Sequence, residues 1–507
     1  MKLSVGIVGG GISGLTAAFY INKIAPYLVD KLYLFEKTGY LGGQIRSTRF
    51  PDGLVNEHGP RTIRPTGVAG ETTLQFVQEL GLANHLLPIT ERHPASRNRL
   101  ILVNDKLLPL PTSFTSLFRT KPPFSRPLSL ALLQDFLTEK ILADDDNMYN
   151  FAWRRFGPEI ADYAIDPLCR GVVAGDAKEI SVKAILKPLF EAEQQHGSII
   201  KGMLSNFFGK LSSGSGNGFV PELVAKARSE HWKMWGIHDG MQMLPDTIVN
   251  VLKDTGMRIC LNSPCEKIKF IDEKVQIHSC GKKYLVDHVF AAVPARELSH
   301  MVQEDHPQLA KVLASIEAVS VALVNLEYPG HLLNYKAFGF LVPSNQKCDI
   351  LGTVFDSCNF PQLSSRTGPT TRLTAMMGGR WFEPLFGDPS KVDHDKLLSV
   401  AKRTMQERLG MPHQESRHQV LVLKDCLPQY KVGHMNRLKQ IRDYLVVNSL
   451  PLTVIGASYD GVSVNDCVYY SKDAVKQWAG LMDQALGDLP SSTQRRIQLQ
   501  GSIGKSA

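Results

Sequence analysis

The glycines of this sequence, more than its reactive side chains, are spaced for chemistry. An apolar run at 3–8 leads into Gly9, Gly10, Gly11, Ile12, Ser13 and Gly14, the pattern G-x-G-x-x-G. In that pattern Gly9 permits a tight turn and Gly11 lets the backbone approach a pyrophosphate. Gly14 lets the following helix pack closely on the strand. The unpaired N–H groups and positive end of that helix then meet phosphate charge. Ala17, Ala18 and Phe19 read as its buried side, and a second apolar strand at 32–35 ends in Glu36. An acid at that distance takes a ribose hydroxyl. Strand, turn, helix, strand and acid in this order predict a dinucleotide site.

The residues after Glu36 select among dinucleotides. Beyond Lys37 the chain makes a second glycine turn, Gly42 and Gly43, followed by Gln44 and Arg46; a third small-residue turn comes at Gly59, Pro60 and Arg61. A nicotinamide cofactor needs no second close approach of backbone, whereas the pyrophosphate and ribityl chain of FAD extend past the first turn. We therefore expect one non-covalent FAD per chain, with an ordinary surface hairpin as the bland alternative. No Ser-His-Asp set, metal-ligand cadence or dedicated base stands out, so no catalytic residue and no metal ligand is assigned. The eight cysteines form no C-x-x-C pair and read as reduced thiols of an intracellular protein. Cys467 is the nearest candidate for a covalent flavin bond, and a buried thiol is the preferred reading.

These turns need elements to hold them. At 507 residues and about 150 residues per domain, some three domains are expected. Composition is that of a globular protein, 43% hydrophobic and 21% charged. The net charge of +8 is spread without a polybasic block, which argues against nucleic acid and suits an anionic substrate or membrane surface. No run of about 18 apolar residues exists to span a bilayer. The first strand lies at the N-terminus, so we expect no cleaved presequence.

Strands are predicted at 266–270, 274–278, 284–290, 319–326, 338–343, 351–355, 372–379 and 452–455. Together they give an α/β fold: a discontinuous, Rossmann-like FAD-binding domain at 1–90, 236–294 and 421–507. An α+β substrate-binding domain at 91–105 and 295–420 carries a half-buried antiparallel sheet. Its apolar face either holds a flat ligand or is ordinary core. Residues 106–235 form a helical insertion. There Ile199, Ile200, Met203, Leu204, Phe207, Phe208 and Leu211 share one helical stripe, followed by a Ser/Gly-rich linker at 212–218. Such a stripe faces a core or lies on a membrane; flanking lysines and the linker favour the membrane.

In sequence, these motifs resemble the protoporphyrinogen oxidase family of the flavin-containing amine oxidase superfamily, most closely its mitochondrial animal form. The resemblance spans nearly the whole chain. It rests on Gly9 to Leu15, Leu41-Gly42-Gly43, Gly59-Pro60-Arg61, Leu168-Cys169-Arg170-Gly171-Val172, Ala174-Gly175, Gly240-Met241, Gly456-Ala457-Ser458-Tyr459 and Val464-Asn465-Asp466-Cys467.

The resemblance implies that Gly9 to Gly14, Glu36, Lys37, Gly43, Gln44, Arg46, Gly59, Pro60, Arg61 and Thr62 hold FAD. Cys265 would lie near the adenine, and Ala457, Val462, Ser463 and Val464 would line the isoalloxazine. Gln44 stands where relatives carry an aromatic residue. For substrate, the resemblance implies Arg99 paired with a propionate; the bland alternative is a solvated turn at 97–99. Phe338, Leu341, Val354 and Met376 would form apolar walls, with Gly171 and Ala174 opposite. Residues 198–223 would touch a membrane.

The implied activity is oxidation of protoporphyrinogen IX to protoporphyrin IX by FAD and oxygen, releasing hydrogen peroxide, in haem synthesis. The implied setting is the mitochondrial inner membrane, peripherally bound, with a homodimer and contact with ferrochelatase expected. A flavin amine oxidase and a non-catalytic flavin-bound tetrapyrrole carrier are the rival readings.

Overall fold

A computed structural model describes residues 2–112, 114–212 and 220–487. Five parallel strands form one sheet in the order Leu452–Val454, His288–Ala291, Leu3–Val8, Val29–Phe35, Arg258–Cys260. The central strand reads as a buried parallel strand because both its faces are covered. On one side packs the helix Ile12–Ile24, with the helices Gly67–Glu79 and Val464–Gly487 against it. On the other lies a three-stranded antiparallel sheet, Cys265–Ile271, Lys274–Ser279 and Lys282–Val286. The two sheets approach so closely that a Cβ on Gly6 would lie 2.6 Å from Ile277 Cδ1.

The second large sheet has seven strands. Its order is Arg417–Pro428, Ala318–Pro329, Thr370–Gly378, Ile350–Val354, Gly339–Leu341, Leu100–Val103, Lys106–Pro109. One face packs on the helix His394–Leu409 through Val324, Phe340, Ala375 and Met377. The other looks toward the glycine turns.

Four sequence expectations need correction. The strand predicted at 284–290 is two strands divided at Asp287, whose carboxylate accepts from Ser4 N at 2.7 Å and pairs with Lys274 at 2.8 Å. The boundary at 420/421 falls inside the strand Arg417–Pro428, which pairs along Ala318–Pro329. Its ends carry Arg417, His418, Lys424 and Asp425, so its apolar centre was not read as a strand. The hairpin strand Lys106–Pro109 belongs to the wide sheet with Leu100–Val103, although 106 was placed in the helical insertion. Finally, the helix Glu222–Ser229 and the strand Trp232–Ile237 lie with the parallel-sheet core. Leu223, Val224, Trp232 and Trp235 are buried there among Leu74, Phe76 and Leu244.

Inside the helical insertion, Arg155 is fully buried. It bonds Asp135 Oδ1 at 2.6 Å, Asp135 O at 2.7 Å and Thr138 O at 3.0 Å. Asp135 Oδ2 also accepts from Ser198 Oγ at 2.6 Å and Ile200 N at 3.0 Å. Glu193 joins through Arg154. The helix Leu128–Leu137 therefore turns Asp135 inward and leaves Leu130, Leu132, Leu133, Phe136 and Leu137 exposed. On the helix Ile199–Ser212, Ile199 is buried while Met203 and Leu204 are exposed. Phe207, Phe208 and Leu211 carry side chains outside the described residues, as does the linker at 213–218. Among the described residues no helix is long and apolar enough to cross a membrane.

Candidate functional site

The three N-terminal glycines have different neighbours. A Cβ on Gly9 would lie 2.6 Å from Ala292 O, and one on Gly14 would collide with Gly9 O; one on Gly11 meets nothing within 4 Å. Packing therefore requires Gly9 and Gly14, whereas Gly11 opens onto free space beside the helix start. That helix has no side-chain cap, so its first N–H groups are left for a ligand. Gly10 N donates to Glu36 Oε2 at 2.8 Å, and Thr38 donates to Oε1 through both N and Oγ1 at 2.8 Å. Glu36 is thus held rigidly at the strand end, half-buried. Lys37 points away, within 4.0 Å of Glu297 at the surface.

The second glycine turn lies directly on the first. Gly42 N donates to Gly10 O at 2.8 Å, and a Cβ on Gly43 would sit 3.1 Å from Gly11 Cα. Gln44 Nε2 donates to Cys426 O at 2.7 Å, tying this turn to the wide sheet. Arg46 stacks on Tyr40, 4.0 Å from its ring centre, and its carbonyl accepts from His58 N. Gly59 fits against Gln44 O, where a Cβ would lie 2.6 Å away. Pro60 and Thr62 are half-buried beside it, and Arg61 pairs with Asp356 at 2.8 Å.

The chain end arrives at the same place. Gly456 has φ +112°, and a Cβ there would be 3.5 Å from Ser13 Oγ. Ala457 O accepts from Tyr430 Oη at 2.5 Å. Val462 packs against the helical insertion and Val464 against the parallel-sheet core. Ser463 and Asp466 cap the last helix reciprocally: Ser463 N donates to Asp466 Oδ2 at 3.1 Å, and Asp466 N to Ser463 Oγ at 3.2 Å. This capping box explains much of the Val-Asn-Asp-Cys motif. Cys467 is buried, and burial raises its thiol pKa to about 11. Cys265 opens the strand after Cys260, Asn262 and Ser263, whose backbones bond Glu36 and Thr38. Those three were missed by sequence reading because backbone bonds leave no residue signature.

Across the wide sheet, Leu341 pairs with Gly352 and Gly352 with Met376. Val354 and Thr374 pair two residues further along the same strands. Strand alternation places Leu341, Met376 and Val354 on one face. Arg99 precedes Ile101 by two residues, and Ile101 pairs with Leu341. The Arg99 guanidinium lies 4.7 Å from the Phe338 ring centre and has no ion-pair partner among the described residues. Burial, then repulsion from Arg64, lowers its pKa below the usual arginine value. Arg64 is a second cation that the sequence reading missed.

Gly171 touches Leu341 directly, since a Cβ there would lie 2.5 Å from Leu341 Cδ2. Gly171 and Leu341 are thus in contact, with no gap between them for the flat ring that the sequence reading set there. Ala174, at φ +50°, packs with Leu323 and half-buried Met376. Arg170, named only within a motif, is buried and stacks 4.3 Å from the Trp381 ring centre.

Between the turn at Gly59 and the wide sheet, the two walls of the candidate site, lies a buried polar cluster. Glu57 accepts from Met241 N at 2.8 Å and Ser47 Oγ at 2.7 Å; burial raises its carboxyl pKa to about 7. Among the described residues no group of three His, Cys, Asp or Glu side chains could hold a metal.

The flavin containing amine oxidoreductase family matches residues 12–477. Protoporphyrinogen oxidase of Bos taurus is 39% identical over 95% of this chain and 99% of its own length. The chain belongs to the protoporphyrinogen oxidase family. The Homo sapiens member is 38% identical over 94% of this chain and 98% of its own. A solved Exiguobacterium protein, provisionally described as a protoporphyrinogen oxidase, shares the fold. Its TM-score is 0.76 at 22% identity, covering 94% of this chain and 99% of that one. The family makes this chain a flavin-containing oxidoreductase. Free space at Gly11, an uncapped helix start and a rigid Glu36 fit that cofactor.

Proposed function

We propose that this protein binds one FAD non-covalently and oxidises protoporphyrinogen IX to protoporphyrin IX with oxygen as acceptor. The observation that carries the substrate is Arg99: a half-buried guanidinium with no carboxylate partner among the described residues, stacked on Phe338 at the edge of an apolar face. A flat macrocycle with propionate tails supplies both the apolar area and the missing anion. The names of the mammalian relatives support the same substrate.

FAD, when bound, would supply two-electron acceptance and reoxidation by oxygen. The reaction removes six hydrogens in three such steps, so three oxygen molecules leave as three hydrogen peroxide molecules. In this reading the chain's residues bind and orient. Gly11 and the helix start hold the pyrophosphate, and Glu36 holds the ribose. Leu341, Val354 and Met376 exclude water from one side of the ring, and Arg99 fixes its acid edge with a charge-assisted hydrogen bond. No side chain is assigned as a dedicated base.

The exposed leucines of Leu128–Leu137, with Met203 and Leu204, support attachment to a membrane surface. The mitochondrial inner membrane, a homodimer and contact with ferrochelatase belong to the same proposal.

The test is anaerobic addition of protoporphyrinogen to the yellow protein. Loss of the flavin absorbance supports the reading. Bleaching by simple amines instead would make the protein an amine oxidase, and porphyrinogen binding without bleaching would make it a carrier. Arg99→Ala should raise KM about 10- to 100-fold, the effect of losing a charged hydrogen bond; an unchanged KM removes Arg99 from the site.

A further inference from the structure

We propose that Asp356 couples the flavin-side turn to the substrate-facing sheet, with Thr374 as its relay. Both are positioning residues, and the proposal rests on the FAD reading above. Asp356 Oδ1 accepts from Arg61 Nη1 at 2.8 Å, and Arg61 follows Gly59 and Pro60 in the turn assigned to the cofactor. Asp356 Oδ2 lies 2.6 Å from Thr374 Oγ1. Thr374 is buried, pairs across the sheet with Val354 and stands two residues before Met376. One carboxylate thus touches both walls of the candidate site.

Proton counting fixes the direction of the chain. Thr374 Oγ1 also lies 2.6 Å from Asn325 Oδ1, yet a hydroxyl has a single proton and cannot donate to both oxygens. Asn325 Nδ2, meanwhile, is buried with no partner among the described residues. Turning the amide over resolves both facts, because amide O and N are assigned from their network. Asn325 then donates to Thr374, Thr374 donates to Asp356, and Arg61 donates to Asp356 from the other side. Arg61 and Asn325 both line a chamber of about 10 Å³. Arg61 Nη2 is buried with no partner among the described residues, and the chamber has about the room one water needs.

The backbone around Asp356 is pinned as well. Arg372 donates to Phe360 O at 2.9 Å and to Val55 O at 3.1 Å, so the carboxylate has little freedom to follow a displaced partner. Removing the Thr374 hydroxyl should therefore be felt at Arg61, across the carboxylate.

The experiment titrates FAD into apoprotein and follows flavin fluorescence and the flavin absorption band. Wild type is compared with Thr374→Val, Thr374→Ser, Asp356→Asn and the double variant Thr374→Val/Asp356→Asn. Thr374→Val, which keeps side-chain shape and strand preference, should weaken FAD binding about three- to tenfold and shift the band. Thr374→Ser should restore both. The double variant should bind within about twofold of Asp356→Asn alone, since the relay is already cut. Wild-type binding in Thr374→Val, no rescue by serine, or effects that multiply in the double variant would overturn the coupling alone. Wild-type protein that takes up no FAD would overturn the cofactor reading and the coupling together. Should Asp356→Asn fail to fold, the valine and serine comparison still decides.

Discussion

Two apolar helices in this molecule face opposite ways. Ile12–Ile24 buries every residue from Ile12 to Ile21 between the parallel sheet and its neighbouring helices. Leu128–Leu137 is at least as apolar, yet it buries Ala131 and Asp135 and leaves Leu133 and Leu137 52% and 71% exposed. The difference lies in the partner. The first helix packs into an apolar core that also holds Phe76 and Trp478. The second meets Arg155, and the fully buried guanidinium requires Asp135 on the inner side. A buried ion pair adds little net stability over an apolar pair, but losing one partner is costly. The inner side of this helix is therefore set by charge, which leaves its leucines facing outward.

The largest effect expected is on the parallel-sheet side. Gly14→Val drives a side chain into Gly9 O and should leave no folded protein, whereas Gly11→Val should fold within about 0.5 kcal/mol of wild type and purify colourless. Urea unfolding and the flavin spectrum separate the two. A yellow Gly11→Val protein would refute the assignment of that open space. Next comes the insertion. Arg155→Met should cost about 3–5 kcal/mol in urea unfolding, because Asp135 loses its buried cation while Glu193 keeps Arg154. A loss below about 1 kcal/mol would mean the charges do not organise these helices.

A third test concerns the polar cluster between the walls. The folded pKa of Glu57 is raised to about 7 from 4.5, so the folded state holds this proton more tightly than the unfolded one. Its contribution is fully present below about pH 4.5 and is lost as pH rises through 7. It is worth about 3 kcal/mol at most. Glu57→Gln should flatten that decline in a pH series of unfolding curves; parallel wild-type and variant curves would refute it. The smallest effect on stability belongs to Leu133→Gln/Leu137→Gln, within about 0.5 kcal/mol. The same variant should lose at least about tenfold in partition to anionic vesicles; undiminished vesicle binding would mean that these leucines do not form the contact.

The glycine turns were legible because their spacing is local. Gly9, Gly14 and Glu36 act within some thirty residues of chain, and strand–turn–helix geometry is short-range. Arg99 was legible only through resemblance, since nothing in its neighbours distinguishes it from a solvated turn. Its stacking on Phe338 joins segments more than 200 residues apart. Asp356 carried no signal at all: its two partners, Arg61 and Thr374, lie on a turn and on a strand more than 300 residues apart. The strand Arg417–Pro428 was hidden by charged ends that are harmless at a sheet edge.

The sequence alone determined the nucleotide fingerprint, the alternation of the sheets and the absence of a long apolar span, because each depends on residues within a few turns of one another. Tertiary structure decided which face of each apolar helix is inner, where the sheet boundaries fall, and which cations lack an anion. Those outcomes depend on pairing between distant segments, and burial sets the energy of a charge only once the fold has chosen its neighbours.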